Sequence, residues 1–357
     1  MAERYAVATG GWSSTSTWDG GTLPGSGDDV FANGQTVIID IDVIVNSVRT
    51  TAGVGGYATT GRFHTSGSVT VTADSYAGDT DCLYLNSGGT QAGDAYGSDI
   101  NSYEVGTFIN TGGIMNGDAY AGGVIGRAVQ VSSGGIMNGN GYGGDISNAH
   151  GVYVMSGGIF NGNATGGTAS SAYGAYLNGG ATMNGDTTGG TLGVGALVSA
   201  GAVLHGDAYG TAAAGATVQA GGFLNGDAFG GTTVSGYGVF LSGGYHNGNT
   251  TGGSVDGAYG TLMQNGGLYY GAATGGAVSG AHGCYGSNGS ILLVTTAIGN
   301  TAGAYGVYTS GGYMIAIIES ESGLYPKLLD SDTDTTYDNI PFAEPTEIVK
   351  LLGMQAV

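Results

Sequence analysis

The sequence predicts an all-β fold, a right-handed parallel β-helix (β-solenoid) of about eleven 22-residue coils, and three observations carry that expectation. The first is a phrase that returns: GGIMNGD from Gly112, GGIMNGN from Gly134, GGIFNGN from Gly157 and GATMNGD from Gly180, with variants from Gly201, Gly221, Gly243 and Gly266. Extended back to Gly88 and forward to Gly289 and Gly311, its first glycines lie 20 (Gly201 to Gly221) to 24 (Gly88 to Gly112) residues apart. A fixed period of this size marks a solenoid, because each unit buries its apolar face only against its neighbours. The second observation is a stretch ahead of each phrase that alternates with period two, such as GTFINT from Gly106, GVYVMS from Gly151 and GAYLNG from Gly174. Such alternation is a strand signal. The third is the absence of any helical period.

Composition excludes the nearest competitors. Glycine reaches 78 residues with only 4 prolines and no three-residue period, which removes collagen. Disorder fails because charged residues make up 9% and hydrophobic ones 41%, and the apolar residues recur in register.

The chain divides into residues 1–62, an N-terminal β cap or attachment segment; 63–319, the β-solenoid; and 320–357, a C-terminal docking tail. In the first segment Trp12 and Trp18 are the only tryptophans, Pro24 opens a glycine-rich turn, and Val37–Val45 is a β-branched run. The two tryptophans are expected to plug the raw end of the solenoid core. In the body, pairs such as Val152 with Val154, Ala175 with Leu177 and Ala196 with Val198 suit a narrow interior. Phe108, Tyr153, Tyr176, Leu197, Thr217, Leu262 and Tyr285 fall between such pairs and should point outward. A second short strand runs from the glycine turn into NGD or NGN. Further on, a glycine-rich stretch carries Tyr96, Tyr120, Tyr142, Tyr209 or Phe229. After Ile318 the rhythm stops, and Pro345, Thr346 and Glu347 can open a helix with Ile348, Val349, Leu351 and Leu352 on its apolar side.

A formal charge of −20, with Lys and Arg at six positions, leaves no basic stripe for phosphates, so no nucleic acid is expected as a partner. Cys82 and Cys284 read as small buried hydrophobes. The opening MAERYAVATGGWSS has no apolar stretch of signal-peptide length, and no run has the length and apolarity of a membrane span.

The most regular polar feature is a column of Asn116, Asn138, Asn161, Asn184, Asn225 and Asn247, each followed two places later by Asp118, Asn140, Asn163, Asp186, Asp227 or Asn249. Stacked carboxylates could ligate calcium. The calcium-binding β-roll phrase is missing and the last place varies between Asp and Asn. Turn chemistry with amides hydrogen-bonded from coil to coil is therefore the preferred reading, and no metal or cofactor is expected. Catalysis gets little support. Glutamates number six, none of them between Glu104 and Glu319, and His64, His150, His205, His246 and His282 are dispersed. No catalytic residue is assigned and no enzyme is expected.

The outward aromatics carry the functional expectation. Phe108, Tyr120, Tyr142, Tyr153, Tyr176, Tyr209 and Tyr285 are the glycan- or partner-contact candidates, since aromatic faces stack on sugar rings and also build subunit interfaces. Packing of each ring on the next coil is the third possibility.

One stretch resembles known proteins: GGWSSTSTWDGG, then Pro24, Asp28-Asp29-Val30 and GQTVIID from Gly34. It looks like the lead-in of bacterial extracellular β-helix proteins and of phage tail fibre, spike or virion-decoration proteins. The repeat phrases also resemble those of self-associating bacterial adhesin passengers. The resemblance implies a non-enzymatic virion structural protein that projects from the particle. Its partners would be other virion subunits, further copies of itself with a trimer favoured, and host surface glycans. A secreted adhesin or filament subunit at the cell surface is the alternative, and a polysaccharide-degrading tailspike a further one.

Overall fold

In the computed structural model parallel strands stack as a β-solenoid of about twelve turns, and Leu328–Asp330 pairs antiparallel with Thr335–Tyr337. The residues described are 2–99, 104–123, 127–145, 150–168, 172–233, 236–277, 280–287, 290–299, 306–309, 315–320, 328–330 and 335–337. The chain falls into two units, Met1–Leu197 with Gly201–Gly206, and Val198–Ala200 with Asp207–Val357.

In the first unit each repeat contributes a strand such as Val152–Val154 to one sheet. The same repeat gives the other sheet two shorter strands, such as Ile159–Asn161 and Ala164–Thr165. Neighbouring coils pair residue on equivalent residue, so that Val152, Tyr153 and Val154 lie beside Ala175, Tyr176 and Leu177. The alternation read from the sequence is the burial pattern: Val152 and Val154 are fully buried while Tyr153 is half-buried. On the opposite wall Met115, Met137, Phe160, Met183 and Leu204 stack in register inside the core. Burying each such side chain stabilises the stack by about 1.5–3 kcal/mol.

Glycine at the centre of the NGD phrase is required by the stacking. A Cβ on Gly117 would stand 2.1 Å from the carbonyl oxygen of Gly93 one coil below, and on Gly139 it would stand 2.1 Å from that of Gly117. The turn before the phrase needs two successive left-handed residues, as at Ser133 (φ 51°) and Gly134 (φ 76°).

Parallel stacking also runs through the lead-in, where no repeat phrase is visible. Glu3–Tyr5 pairs with Asp29–Phe31 and that with Val43–Arg49, while Gly10–Gly11 pairs with Thr36–Ile39 and that with Arg62–Thr65. Backbone pairing needs no particular side chain, so these coils belong to the solenoid without sharing its sequence signature. Trp12 and Trp18 are both 2% exposed, meet edge to face at 4.7 Å, and lie in the core with Phe63. The chain around them turns back over the outer edge of the first strand. There the Tyr5 N–H donates to Asp19 Oδ1 (3.1 Å) and the Val7 N–H to the Thr17 carbonyl (2.8 Å). An edge that would otherwise offer unpaired N–H groups is thus covered.

In the second unit Ala216–Gln219, Val239–Ser242, Thr261–Gln264, Cys284–Gly286 and Val307–Thr309 stack on one wall. On the other wall Leu268–Thr274 forms one strand where earlier coils have two, with an irregularity at Gly271 and Ala272. Parallel pairing continues past the last repeat phrase, because Leu328–Asp330 lies beside Val307–Thr309. Cys82 and Cys284 are buried and free, and burial pushes the Cys82 thiol up to about 12. The helix expected from Pro345 lies outside the described residues. Among those residues no helix is long and apolar enough to cross a membrane.

Candidate functional site

Register converts every repeated polar or aromatic residue into a column. In the asparagine column of the first unit Asn138 Nδ2 donates to Asn116 Oδ1 (2.8 Å), Asn161 to Asn138 (2.9 Å) and Asn184 to Asn161 (2.8 Å). His205 takes the next place, in register with Asn184. In the second unit Asn247 donates to Asn225 (3.0 Å).

Two residues on, the Asp/Asn column works differently. Asp94 Oδ1 accepts the Asp118 N–H (2.8 Å), Asp118 Oδ1 accepts the Asn140 N–H (2.7 Å), and Asn163 Oδ1 accepts the Asp186 N–H (2.9 Å). Asp227 Oδ1 accepts the Asn249 N–H (2.8 Å) in the second unit. Either Asp or Asn supplies the Oδ1 that accepts the next coil's N–H, and Asp227 uses its second oxygen as well, toward Asn249 Nδ2 (3.4 Å). That explains the variation between the two residues without a cation. Among the described residues no three His, Cys, Asp or Glu side chains form a group that could hold a metal ion.

The aromatic candidates stand in stacks. Tyr76, Tyr96, Tyr120 and Tyr142 form one column with centroids 4.5, 5.1 and 5.1 Å apart, and the Arg49 guanidinium covers its Tyr76 end at 4.0 Å. On the other wall Phe108 stacks on Tyr84 (5.4 Å), and Tyr153 on Tyr176 (4.9 Å) with Arg127 over Tyr153 at 3.8 Å. In the second unit Tyr209 stacks on Phe229 (4.9 Å), and Tyr285 lies between Tyr259 and Tyr308 (5.1 and 5.2 Å). Most of these rings are half-buried, with their faces stacked on one another. Tyr142 and Tyr209 are the most open, each 37% exposed.

Two of the columns end abruptly. Beyond Tyr142 the next places in register are Thr165 and Thr188, and beyond Phe229 they are Thr251 and Thr274. At Thr251 the surface opens into a groove of about 330 Å³ lined by Gly230, Thr232, Thr251, Gly253, Ser254 and Ala277, among others.

Sequence reasoning missed a buried polar cluster in the second unit. His246 occupies the core place held elsewhere by Met115, Met137 and Met183, and is fully buried. Its Nε2 lies 2.8 Å from the Gly226 carbonyl, which makes Nε2 the protonated nitrogen, while Nδ1 has no partner. Nearby, Thr250 and Thr261 hydroxyls share a 2.8 Å bond and the Tyr269 hydroxyl donates to the Ala272 carbonyl (2.6 Å). Burial drives His246 down to about 4 and Tyr269 well above its ordinary value. The signal was present in the alignment of GGYHNGN with GGIMNGD, where His stands for Met. A sealed core position offers this imidazole no substrate.

Glu104 feels two other carboxylates, Asp81 and Asp79. Burial, followed by the charges of Asp81 and Asp79, raises its carboxyl. Both neighbours are engaged, Asp81 by the Val105 N–H and the Tyr84 hydroxyl (2.8 Å each) and Asp79 by the Thr59 hydroxyl. No protein-family model matches the chain, and neither the curated proteins nor the solved structures compared with it gave a match.

Proposed function

We propose that this chain is a non-enzymatic virion structural protein, a tail fibre, spike or decoration component, whose stacked aromatic columns are its contact surface. The observation that supports this most is the division of labour among the columns. Asparagines and Asp/Asn acceptors are committed to neighbouring coils, whereas the column from Tyr76 to Tyr142 stays partly exposed, Tyr142 the most at 37%. Surface-placed tyrosines are what protein interfaces and sugar contacts use, because one end of the ring is apolar and the other hydrogen-bonds. The acidic shell set by a charge of −20 keeps such a surface soluble until a partner arrives.

The test combines mass measurement in solution with proteomics of purified particles. A homo-oligomer, with a trimer favoured, recovered from virions is expected. A monomer absent from any particle sinks the proposal, and recovery of the chain from the cell surface assigns it to the adhesins instead.

A further inference from the structure

We propose that the column ends beyond Tyr142 and Phe229 are stacking subsites for pyranose rings of a neutral glycan, an inference that rests on the contact role given above to the aromatic columns. At each end a ring has an aromatic neighbour on one face only, Tyr120 on Tyr142 at 5.1 Å and Tyr209 on Phe229 at 4.9 Å. No aromatic ring among the described residues lies against the opposite face, and the next two coils present threonine. Coils repeat about every 4.8 Å, so the two threonine coils leave a slot two coils long beside the terminal ring. A pyranose fits that slot chemically. Its axial C–H face is apolar and weakly positive and meets the negative face of an aromatic ring.

The slot also carries hydroxyl and amide groups that a ligand can hydrogen-bond. The hydroxyls of Thr165, Thr188, Thr251 and Thr274 have no side-chain hydrogen bond among the described residues, and Asn163 uses Oδ1 while its Nδ2 stays free. Asn163 and Thr165 are both exposed and lie two residues apart on the same coil. A groove of about 330 Å³ adjoins the second end at Thr251, lined by Thr251 and the glycines and hydroxyls beside it rather than by Phe229 itself. That volume lies at the small end of the ~300–1,000 Å³ typical of ligand sites, room for one ring with its substituents. Charge selects the class of glycan. With 26 acidic against 6 basic residues the surface repels uronic and sialic acid polymers, and a neutral chain meets no such barrier. A single stacked ring binds weakly, about millimolar, and repetition in an oligomer raises avidity.

The experiment is titration of the full chain with maltohexaose, cellohexaose and chitohexaose, and with hexagalacturonate as the acidic comparison, followed by calorimetry or saturation-transfer NMR. Two double variants accompany it. Tyr142→Ala with Phe229→Ala removes the platforms, and Thr165→Tyr with Thr251→Tyr extends the columns and covers the open faces with a residue the preceding coils already carry. Saturable binding of at least one neutral hexasaccharide is expected, weakened about fivefold or more in both doubles, with the threonine-to-tyrosine protein melting no lower than the parent. Absence of saturable binding to all three, tighter binding of hexagalacturonate, or unchanged binding in the threonine-to-tyrosine protein overturns the assignment. A chain found in virions that binds no glycan loses this site and keeps its structural role. Glycan binding at these residues by a chain absent from virions does the reverse.

Discussion

Asn138 donates from Nδ2 to Asn116 Oδ1 across 2.8 Å while its own Oδ1 accepts from Asn161 at 2.9 Å. Asn138 and, with Asn184 donating to it, Asn161 each use one donor and one acceptor along the stacking direction, which polarises the next bond in the same sense. Asn138→Ala breaks two such bonds, at about 0.5–1.5 kcal/mol each. Asn138→Asp removes the donor and sets a carboxylate against the Asn116 oxygen. Urea unfolding at pH 7 should show both variants destabilised by about 1–3 kcal/mol. An unchanged midpoint for the aspartate variant would show the column to be ornamental.

The neighbouring column asks less of its residues. Asp118 contributes one oxygen to the Asn140 N–H at 2.7 Å, with Asn140 Nδ2 at 3.3 Å from the same atom. Asp118→Asn is expected to leave stability within about 0.5 kcal/mol, and Asp118→Ala to cost about 1–2 kcal/mol. Calcium and chelator are expected to leave the melting temperature of both unchanged, and a calcium-dependent rise that Asp118→Asn abolishes would reinstate a cation in this column.

Backbone positions separate two kinds of glycine demand. Gly117→Ala drives a Cβ to 2.1 Å from the Gly93 carbonyl oxygen, a contact with backbone that cannot move aside. Loss of about 3 kcal/mol or more, or failure to fold, is expected. Ala220 is the opposite case: it holds φ 47° without needing its methyl, so Ala220→Gly should stabilise by up to about 1 kcal/mol. Thermal melts of the pair should move in opposite directions.

His246 makes stability depend on pH. Its folded value is depressed to about 4 by burial while the unfolded chain titrates near 6.5. Between those values the unfolded state binds more protons, so stability is full above about pH 6.5 and declines as pH falls toward 4, by about 3 kcal/mol in all. His150 and His282, also held down to about 4, act in the same direction. Urea midpoints of His246→Met against the parent should converge at pH 7.5 or favour the variant slightly, and diverge in its favour by pH 4.5. Parallel pH curves for the two proteins would rule out His246 as the source.

Much of the architecture was legible because its causes are local. Val152 with Val154 around Tyr153 is a strand facing a core whatever its neighbours, and the return of GGIMNG at Gly134 after Gly112 announces a coil stacked on a coil. The tryptophans at 12 and 18 were readable as plugs from size alone. Three things were not legible. The coils of the lead-in share no phrase with the body, and only backbone pairing of Glu3–Tyr5 with Asp29–Phe31 reveals them. His246 looked like one more dispersed histidine, yet it stands in the methionine column of the core. The open faces at Tyr142 and Phe229 exist only because Thr165 and Thr251 follow them one coil later in space, more than twenty residues later in sequence.

The sequence by itself determined the period, the alternation and the glycine turns, since these follow from the conformational preferences of short stretches. Tertiary structure alone decided what each repeated side chain meets, which asparagine donates to which, and where an aromatic column stops. Those outcomes depend on register between strands about one coil apart, and register is a property of the stack rather than of any one segment in it.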